Sequence, residues 1–166
     1  IPRALDDTAT AALSKLDYME VVDLSSGSQR LIAARTGYTG EMGFEFYCDH
    51  ETARKLWTRF VECSAIPIGL GARDTLRIEP CYLLYGNDMD DATDPLEAGV
   101  AWAFKPKKGN FIGRDAVVSK STRRKIYAFR MVEPAIPRHG MGVFNDKESR
   151  IGVVTSGSVL PTVGGS

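Results

Sequence analysis

Apolar and polar residues recur along the first half of the chain at spacings typical of two kinds of element. Apolar positions three or four residues apart indicate amphipathic helices, whereas strict alternation indicates half-buried strands. The pattern predicts helices over residues 4–16, 50–63 and 72–79, and strands over residues 18–24, 30–36 and 44–48. Strands joined by tight loops and flanked by helices predict an α+β fold with a mostly antiparallel sheet.

The second half of the chain begins with weaker signals. Asp94 followed by Pro95 is typical of a helix start, because aspartate caps the first turn and proline fits its first position. Residues 100–104 form a short apolar run that suits a buried strand, and residues 113–120 suit a short helix. Residues 86–95, which are polar and acidic, are expected to form a loop.

From residue 125 the chain becomes rich in β-branched and aromatic residues separated by proline, glycine and asparagine turns. Such short runs with turn signals between them are typical of small barrels and sandwiches. We expect a central α+β portion over residues 1–122, followed over residues 123–166 by the incomplete start of a small C-terminal β-barrel domain. Both ends of the sequence read as cut, so a longer natural chain is expected.

Composition and charge exclude several classes of protein. The 166 residues contain 21 basic and 21 acidic side chains, which argues against a protein that binds nucleic acid through its overall charge. No apolar run approaches the roughly 20 residues of a membrane span. The three cysteines are widely spaced and neither histidine completes a zinc ligand set, so a reducing compartment and no metal are expected.

Glu45 is the first candidate for chemistry, because it follows a loop that contains three glycines over residues 37–43. In an extended segment, Glu45 and Tyr47 lie on one face and Phe46 on the other. A carboxylate there would accept two parallel N–H bonds from a flat donor edge such as an amino-pyrimidine. The alternative is that Glu45 simply faces solvent on a half-exposed sheet, and spacing alone favours that alternative.

Arg73 is the second candidate, with Arg77 one helical turn further on. Two guanidinium groups on one side of a helix would suit an anionic ligand. The alternative is local pairing among Asp74, Arg77 and Glu79, which is common on helices and which spacing alone again favours. Sequence position alone therefore does not decide whether Glu45 and Arg73 bind a ligand.

A longer set of motifs resembles one known family. The matching segments follow each other in the family's order and cover most of the chain. They are RTGYTGE (35–41), GFE (43–45), GLGARDTLRIE (69–79), LYGND (84–88), TDPLEAG (93–99), FIG (111–113), IPRHG (136–140) and IGVVTSG (151–157). Together they resemble the T-proteins of the glycine cleavage system, which are aminomethyltransferases.

This resemblance implies a reaction and its participants. T-proteins transfer an aminomethyl group from the dihydrolipoyl arm of H-protein to tetrahydrofolate, with release of ammonia. The family's folate-contacting glutamate falls on Glu45 and its folate-contacting arginine on Arg73, which shifts our preference toward binding for both. Tyr38, Glu41, Tyr82 and Tyr85 are weaker candidates for lining the folate site. The excess of basic residues over 105–125 is a candidate dock for H-protein, which we expect to be acidic.

The resemblance also implies limits. The family's essential aspartate lies in an N-terminal motif without a match here, so we expect this chain alone to be an inactive part of the enzyme. A related alternative is the folate-accepting domain of a dimethylglycine or sarcosine demethylating enzyme. A non-enzymatic folate-binding relative is a further alternative. The family implies a location in a bacterial cytoplasm or a mitochondrial matrix.

Overall fold

The computed structural model describes residues 5–121 and 124–162. It divides into two compact units, Ile1–Leu76 and Arg77–Ser166. The domain boundary expected near residue 122 falls on residues that lie outside the described ranges, so it stays a prediction. The predicted mixture of helices and antiparallel strands is confirmed in both units.

The first unit contains two helices and a three-stranded sheet, and a third helix begins at its end. The elements are α1 (Asp7–Ser14), β1 (Val21–Asp23), β2 (Leu31–Ala34), β3 (Glu45–Cys48), α2 (His50–Glu62) and α3 (Leu70–Ile78). The sheet is antiparallel in the order β1-β2-β3. Each of these six elements lies where the hydrophobic pattern predicts it, with ends shifted by a few residues.

The central strand β2 explains why this unit holds together. Leu31, Ala33 and Ala34 are buried, so β2 contributes apolar area on both of its faces. The partner strand β3 alternates as predicted, since Phe46 is half-buried while Tyr47 is exposed. The ring of Phe46 lies 5.7 Å from that of Phe60, which joins β3 to α2. The small alanines allow a close-packed centre in a short sheet.

The apolar stripe of α2 is only partly covered. The helical spacing of Leu56, Trp57 and Phe60 predicts that Trp57 belongs to the core, and this prediction is wrong, because 61% of Trp57 is exposed. Leu56 and Phe60 on the same helix are half-buried as expected. Asp49 caps the start of the helix: its carboxylate accepts hydrogen bonds from the backbone N–H of Thr52 at 2.8 Å and from the Thr52 hydroxyl at 3.1 Å. This cap positions the helix start even though its outer face lacks a partner within the described residues.

The second unit contains short elements. They are two 3₁₀ turns (Ala101–Ala103 and Pro106–Lys108), α4 (Arg114–Ser119), β4 (Gly142–Phe144) and β5 (Arg150–Val153). The two strands form an antiparallel hairpin, as the strand-rich pattern predicts. The side chain of Asn145 accepts hydrogen bonds from the backbone N–H groups of Lys147 and Ser149, both at 3.0 Å, and so shapes the turn.

Three predicted elements of this unit are wrong. The first apolar run after residue 125, over residues 125–133, is predicted to be a strand but contains none, because a strand also needs a neighbour to pair with. The run 100–104 forms a 3₁₀ turn rather than a strand, directly after Gly99 at φ 74°. The helix expected after Asp94 is a series of turns.

None of the helices over 5–121 and 124–162 has the length and apolar character that a membrane span requires.

Candidate functional site

The loop between β2 and β3 is the feature that brings two of the predicted residues together in the first unit. Gly40 adopts φ 76°, a left-handed conformation that suits glycine and turns the chain back toward β3. The backbone N–H of Glu41 donates to the hydroxyl of Thr39 at 3.3 Å. Arg35 donates to the carbonyl of Leu16 at 2.5 Å and ties the start of the loop to the segment that follows α1.

Glu45 stands at the first position of β3 and is exposed. Its carboxylate accepts a hydrogen bond from the hydroxyl of Thr36, in the loop that precedes it. This contact holds the carboxylate at the loop and leaves further lone pairs for other donors. Exposure fits both sequence-based alternatives, because a solvent-facing carboxylate and one that receives a ligand share this geometry. The binding role of Glu45 therefore stays a prediction.

Arg73 lies in α3 and is also exposed. Its guanidinium carbon lies 4.6 Å from the centre of the Tyr38 ring, in the same loop. A guanidinium over an aromatic face is attracted by the ring's quadrupole, and the stacking leaves the edge N–H groups available for acceptors. Glu45 and Arg73 thus both contact residues 36–38, so the structure brings together two predicted residues and the predicted Tyr38. Glu41 is exposed in the same loop.

The two remaining predicted residues, Tyr82 and Tyr85, belong to the second unit. Tyr82 is half-buried and lines a cavity of about 300 Å³ within that unit. Tyr85 is exposed and forms an isolated bridge with Met89. Neither observation tests a ligand contact, so both tyrosines stay predictions.

A buried ion pair that sequence reasoning missed organises the segment that carries these tyrosines. Arg77, which is only 2% exposed, donates to the carboxylate of Asp88 at 2.7 Å, to the carbonyl of Tyr82 at 2.9 Å and to the hydroxyl of Ser156 at 2.8 Å. Leu84 donates its backbone N–H to the same Asp88 oxygen at 2.8 Å. Asp88, an acid that the spacing did not suggest, is therefore an ion-pair partner of Arg77.

The pKa of Asp88 reflects two opposing effects. Burial by itself raises this pKa, but hydrogen bonds from Thr155, Leu84, Ser156 and Arg77 outweigh burial and hold the pKa below its ordinary value. The carboxylate is thus ionised at neutral pH beside a permanently charged guanidinium. No spacing rule predicts this pairing, because its partners lie far apart along the chain.

A second polar cluster surrounds Glu97, which is 4% exposed. Its carboxylate accepts from the ammonium of Lys120 at 2.6 Å and from the backbone N–H groups of Arg124 at 3.0 Å and Asp94 at 3.2 Å. Asp94 in turn accepts from the backbone N–H of Glu97 at 2.9 Å, so the two acids cap each other's segment. The Asp-x-x-Glu spacing of a capping box was the signal that would have identified this pair.

Lys120 dominates the electrostatics of that cluster. The hydrogen bond from Lys120, with the one from the Arg124 backbone, lowers the pKa of Glu97 to about 2. The bond from Glu97 raises the pKa of Lys120 in return. Part of the basic stretch over 105–125 is therefore used inside the unit, and Arg114 likewise donates to the carbonyl of Pro106 at 2.9 Å. Lys105, Lys107, Lys108 and Lys125 are exposed.

Comparison with known proteins identifies this arrangement. Residues 2–108, more than half of the chain, match the family described as the GCVT N-terminal domain. The chain belongs to the GCVT N-terminal domain family.

Relatives of this GCVT N-terminal domain chain carry one recurring name. The chain is 42% identical over 158 residues to the aminomethyltransferase of Halothermothrix orenii, and the aligned part covers 89% of this chain and 44% of that relative. It is 40% identical to that of Thermosipho melanesiensis, over 97% of this chain and 45% of the relative. The chain thus spans a little under half the length of the curated relatives it matches.

A solved structure supports the same family assignment. The crystal structure of the glycine cleavage system aminomethyltransferase T from Bartonella henselae matches this chain with a TM-score of 0.81 and 31% sequence identity. The match covers 95% of this chain and 45% of that one. The mixed helical and antiparallel architecture of this GCVT N-terminal domain member is therefore one that a solved aminomethyltransferase shares.

Proposed function

We propose that this chain forms part of an aminomethyltransferase of the glycine cleavage system. The enzyme would transfer the aminomethyl group from dihydrolipoyl H-protein to tetrahydrofolate and release ammonia. Support comes from relatives that are about 40% identical and carry the name aminomethyltransferase. The matched solved structure is named as the glycine cleavage system enzyme.

One observation carries the proposal for the folate site. The exposed carboxylate of Glu45 and the exposed guanidinium of Arg73 both contact the short segment 36–38, through Thr36 and Tyr38 respectively. An acceptor pair and a donor fork held at one loop suit a flat heterocycle that carries amino and carbonyl groups. Glu45 would accept from the amino-pyrimidine edge, and Arg73 would donate to a carbonyl or anionic group of the ligand.

The other predicted residues take supporting roles in this proposal. Tyr38 offers a ring for stacking, and Glu41 offers a second carboxylate in the same loop. Tyr82 and Tyr85 are proposed as further folate contacts. H-protein, which we expect to be acidic, would be attracted by four exposed lysines, Lys105, Lys107, Lys108 and Lys125.

Two further expectations belong to the proposal as well. The hairpin of β4 and β5 is what the start of a small C-terminal β-barrel domain would contain, with the boundary near residue 122. A bacterial cytoplasm or a mitochondrial matrix is the proposed location, on the strength of the family resemblance.

Equilibrium binding of tetrahydrofolate to the 166-residue chain tests the folate proposal. Binding is preferable to turnover, because the resemblance places the essential aspartate in a motif that has no match here. Calorimetry should show saturable binding that Glu45→Gln and Arg73→Ala each weaken by about 2 kcal/mol, since each substitution removes a charge-assisted hydrogen bond.

Matched controls lie on α2, where Glu51→Gln and Arg54→Ala make the same chemical changes on exposed side chains. These controls should leave the affinity unchanged. Equal affinity in the original chain and in both loop variants would refute the assigned roles, and complete absence of binding would refute folate as the ligand of this chain.

A further inference from the structure

A second concave surface lies in the unit Arg77–Ser166, and it shares Tyr127 and Phe129 with the smaller cavity that Tyr82 lines. It is a groove of about 710 Å³ between the segment that follows residue 124 and the segment from β5 to Ser156. This volume is within the range of small-molecule sites. Its lining includes Arg124, Lys125 and Arg150 as cations and Tyr127 and Phe129 as aromatic residues.

The buried carboxylates in the wall of this groove are already neutralised from within the protein. Asp88 is paired with Arg77 at 2.7 Å, and Glu97 is paired with Lys120 at 2.6 Å. Glu97 also lies 3.5 Å from Arg124, one of the three cations of the groove. Because each acid already has a cation, neither needs Lys125 or Arg150 as a counter-ion. The positive charges of Lys125 and Arg150 are therefore available for a ligand.

One further acid, Asp90, lines the groove, and local donors occupy it. It accepts from the hydroxyl of Thr93 at 2.6 Å and from the backbone N–H of Ala92 at 3.1 Å. The hydrogen bond from Thr93 is the largest cause that lowers the pKa of Asp90. This acid remains charged, but its bonding capacity is directed into its own turn.

Lys125 and Arg150 differ from Lys120 and Arg77, the two cations that pair with the buried acids. Over residues 5–121 and 124–162, neither has a carboxylate within 4.0 Å, whereas Lys120 and Arg77 each do. Arg150 uses its Nε to donate to the carbonyl of Gly152 at 3.3 Å. That bond orients the guanidinium while its two terminal nitrogens keep donors for an acid group.

The aromatic residues supply the apolar half of the groove. Tyr127 is 74% exposed and Phe129 is 54% exposed, which is unusual for rings that adjoin a concave surface. A ligand with one acid group and one flat apolar group could contact both: its acid group would pair with the cations, and its apolar group would pack against the exposed rings.

We propose that this groove binds a small organic anion, with its phosphate or carboxylate held by Lys125 and Arg150 and its flat apolar part placed against Tyr127 and Phe129. The site goes beyond the proposed aminomethyltransferase function, because none of these four residues is among those predicted to contact tetrahydrofolate. Lys125 belongs to the basic stretch over 105–125, lines the groove and has no acid partner, so in this proposal it pairs with the negative charge of the ligand.

Calorimetry at pH 7.5 with phenyl phosphate as the probe tests the site on the 166-residue chain. Binding should saturate, and it should be tighter than that of inorganic phosphate by about fivefold, the value of one aromatic contact. Benzyl alcohol, which has the ring without the charge, should not bind measurably. Benzoate in parallel shows whether the groove prefers a carboxylate or a phosphate.

Three substitutions assign the binding to the groove. Lys125→Gln and Arg150→Gln should each weaken phenyl phosphate by about fivefold, as expected for one solvent-exposed charge pair. Tyr127→Ala should reduce phenyl phosphate to the affinity of inorganic phosphate. Lys125 lies in coil, so its substitution tests the proposal even if a change in β5 disturbs the hairpin.

The matched control is Lys147→Gln, which removes the same charge from the exposed hairpin turn outside the groove. It should leave the affinity unchanged. Absence of saturable binding, or an equal loss in Lys147→Gln, would overturn the proposal. Glu45→Gln separates the two proposals: it should weaken tetrahydrofolate and leave phenyl phosphate unaffected, and a loss of phenyl phosphate binding in this variant would place the anion elsewhere.

Discussion

At the scale of single residues, the chain separates its polar groups into exposed and buried sets that do different work. Glu45 and Arg73 are exposed and keep bonding capacity for a ligand. Glu97 and Arg77 are buried, and each bonds to an oppositely charged side chain, Lys120 and Asp88 respectively. A buried charge is tolerated only where its partners replace the lost hydration. The exposed pair is therefore the candidate for function and the buried pair for structure.

Glu97 gives the clearest prediction at this scale. Its pKa in the folded chain is about 2, below the ordinary value of 4.5, so its ionised form favours the folded state. That contribution is fully present above about pH 4.5 and is lost as the pH falls toward about 2. Glu97→Gln should flatten the fall in the free energy of unfolding over this interval, which urea titrations at several pH values would measure.

The control for this prediction is Glu133→Gln, on an exposed side chain in coil. It should keep the original slope between pH 4.5 and pH 2. An unchanged slope in Glu97→Gln would show that the carboxylate is not held in its ionised form by Lys120.

At the scale of elements, local rules predicted what depends on neighbours along the chain. The helix α2 and the strands of the first sheet follow from spacing and from the cap at Asp49, which act within a few residues. The loop that contains Tyr38 and precedes Glu45 was predicted because glycines mark it. The failures depend on distant partners: residues 125–133 have a strand pattern without a strand neighbour, and Arg77 pairs with Asp88 across a loop.

The cap of α2 carries the prediction at this scale. Asp49 accepts from Thr52, and this backbone bond is the largest cause that lowers its pKa. Asp49→Ala should reduce the free energy of unfolding by about 1 kcal/mol, because the first turn loses its acceptor. Thermal and urea unfolding would measure the loss. Asp49→Asn keeps an oxygen at the same place and should cost much less, whereas equal losses in both variants would mean that capping is not the cause.

At the scale of the whole molecule, the hydrogen bonds described above for Asp49, Asp88 and Glu97 each lie within a single compact unit. The cap at Asp49 lies in Ile1–Leu76, while the networks of Asp88 and Glu97 lie in Arg77–Ser166. The network of Asp88 ties the end of α3, the loop before Asp88 and the segment after β5 to one another. Units with their own networks are expected to open separately in partial unfolding events.

Asp88→Asn tests this independence. Removing one partner of a buried ion pair leaves the other uncompensated, which costs about 3 kcal/mol. Under native conditions, hydrogen exchange in this variant should accelerate at amides of β4, β5 and the loop around Leu84. The amides of β1, β2 and β3 should keep their protection, because none of their bonds involves Asp88. Asp91→Asn, on an exposed side chain of the same loop, should change neither set. Equal acceleration in both units would show instead that the chain opens as one cooperative body, and that the stability supplied by Arg77 and Asp88 reaches the residues proposed to hold folate.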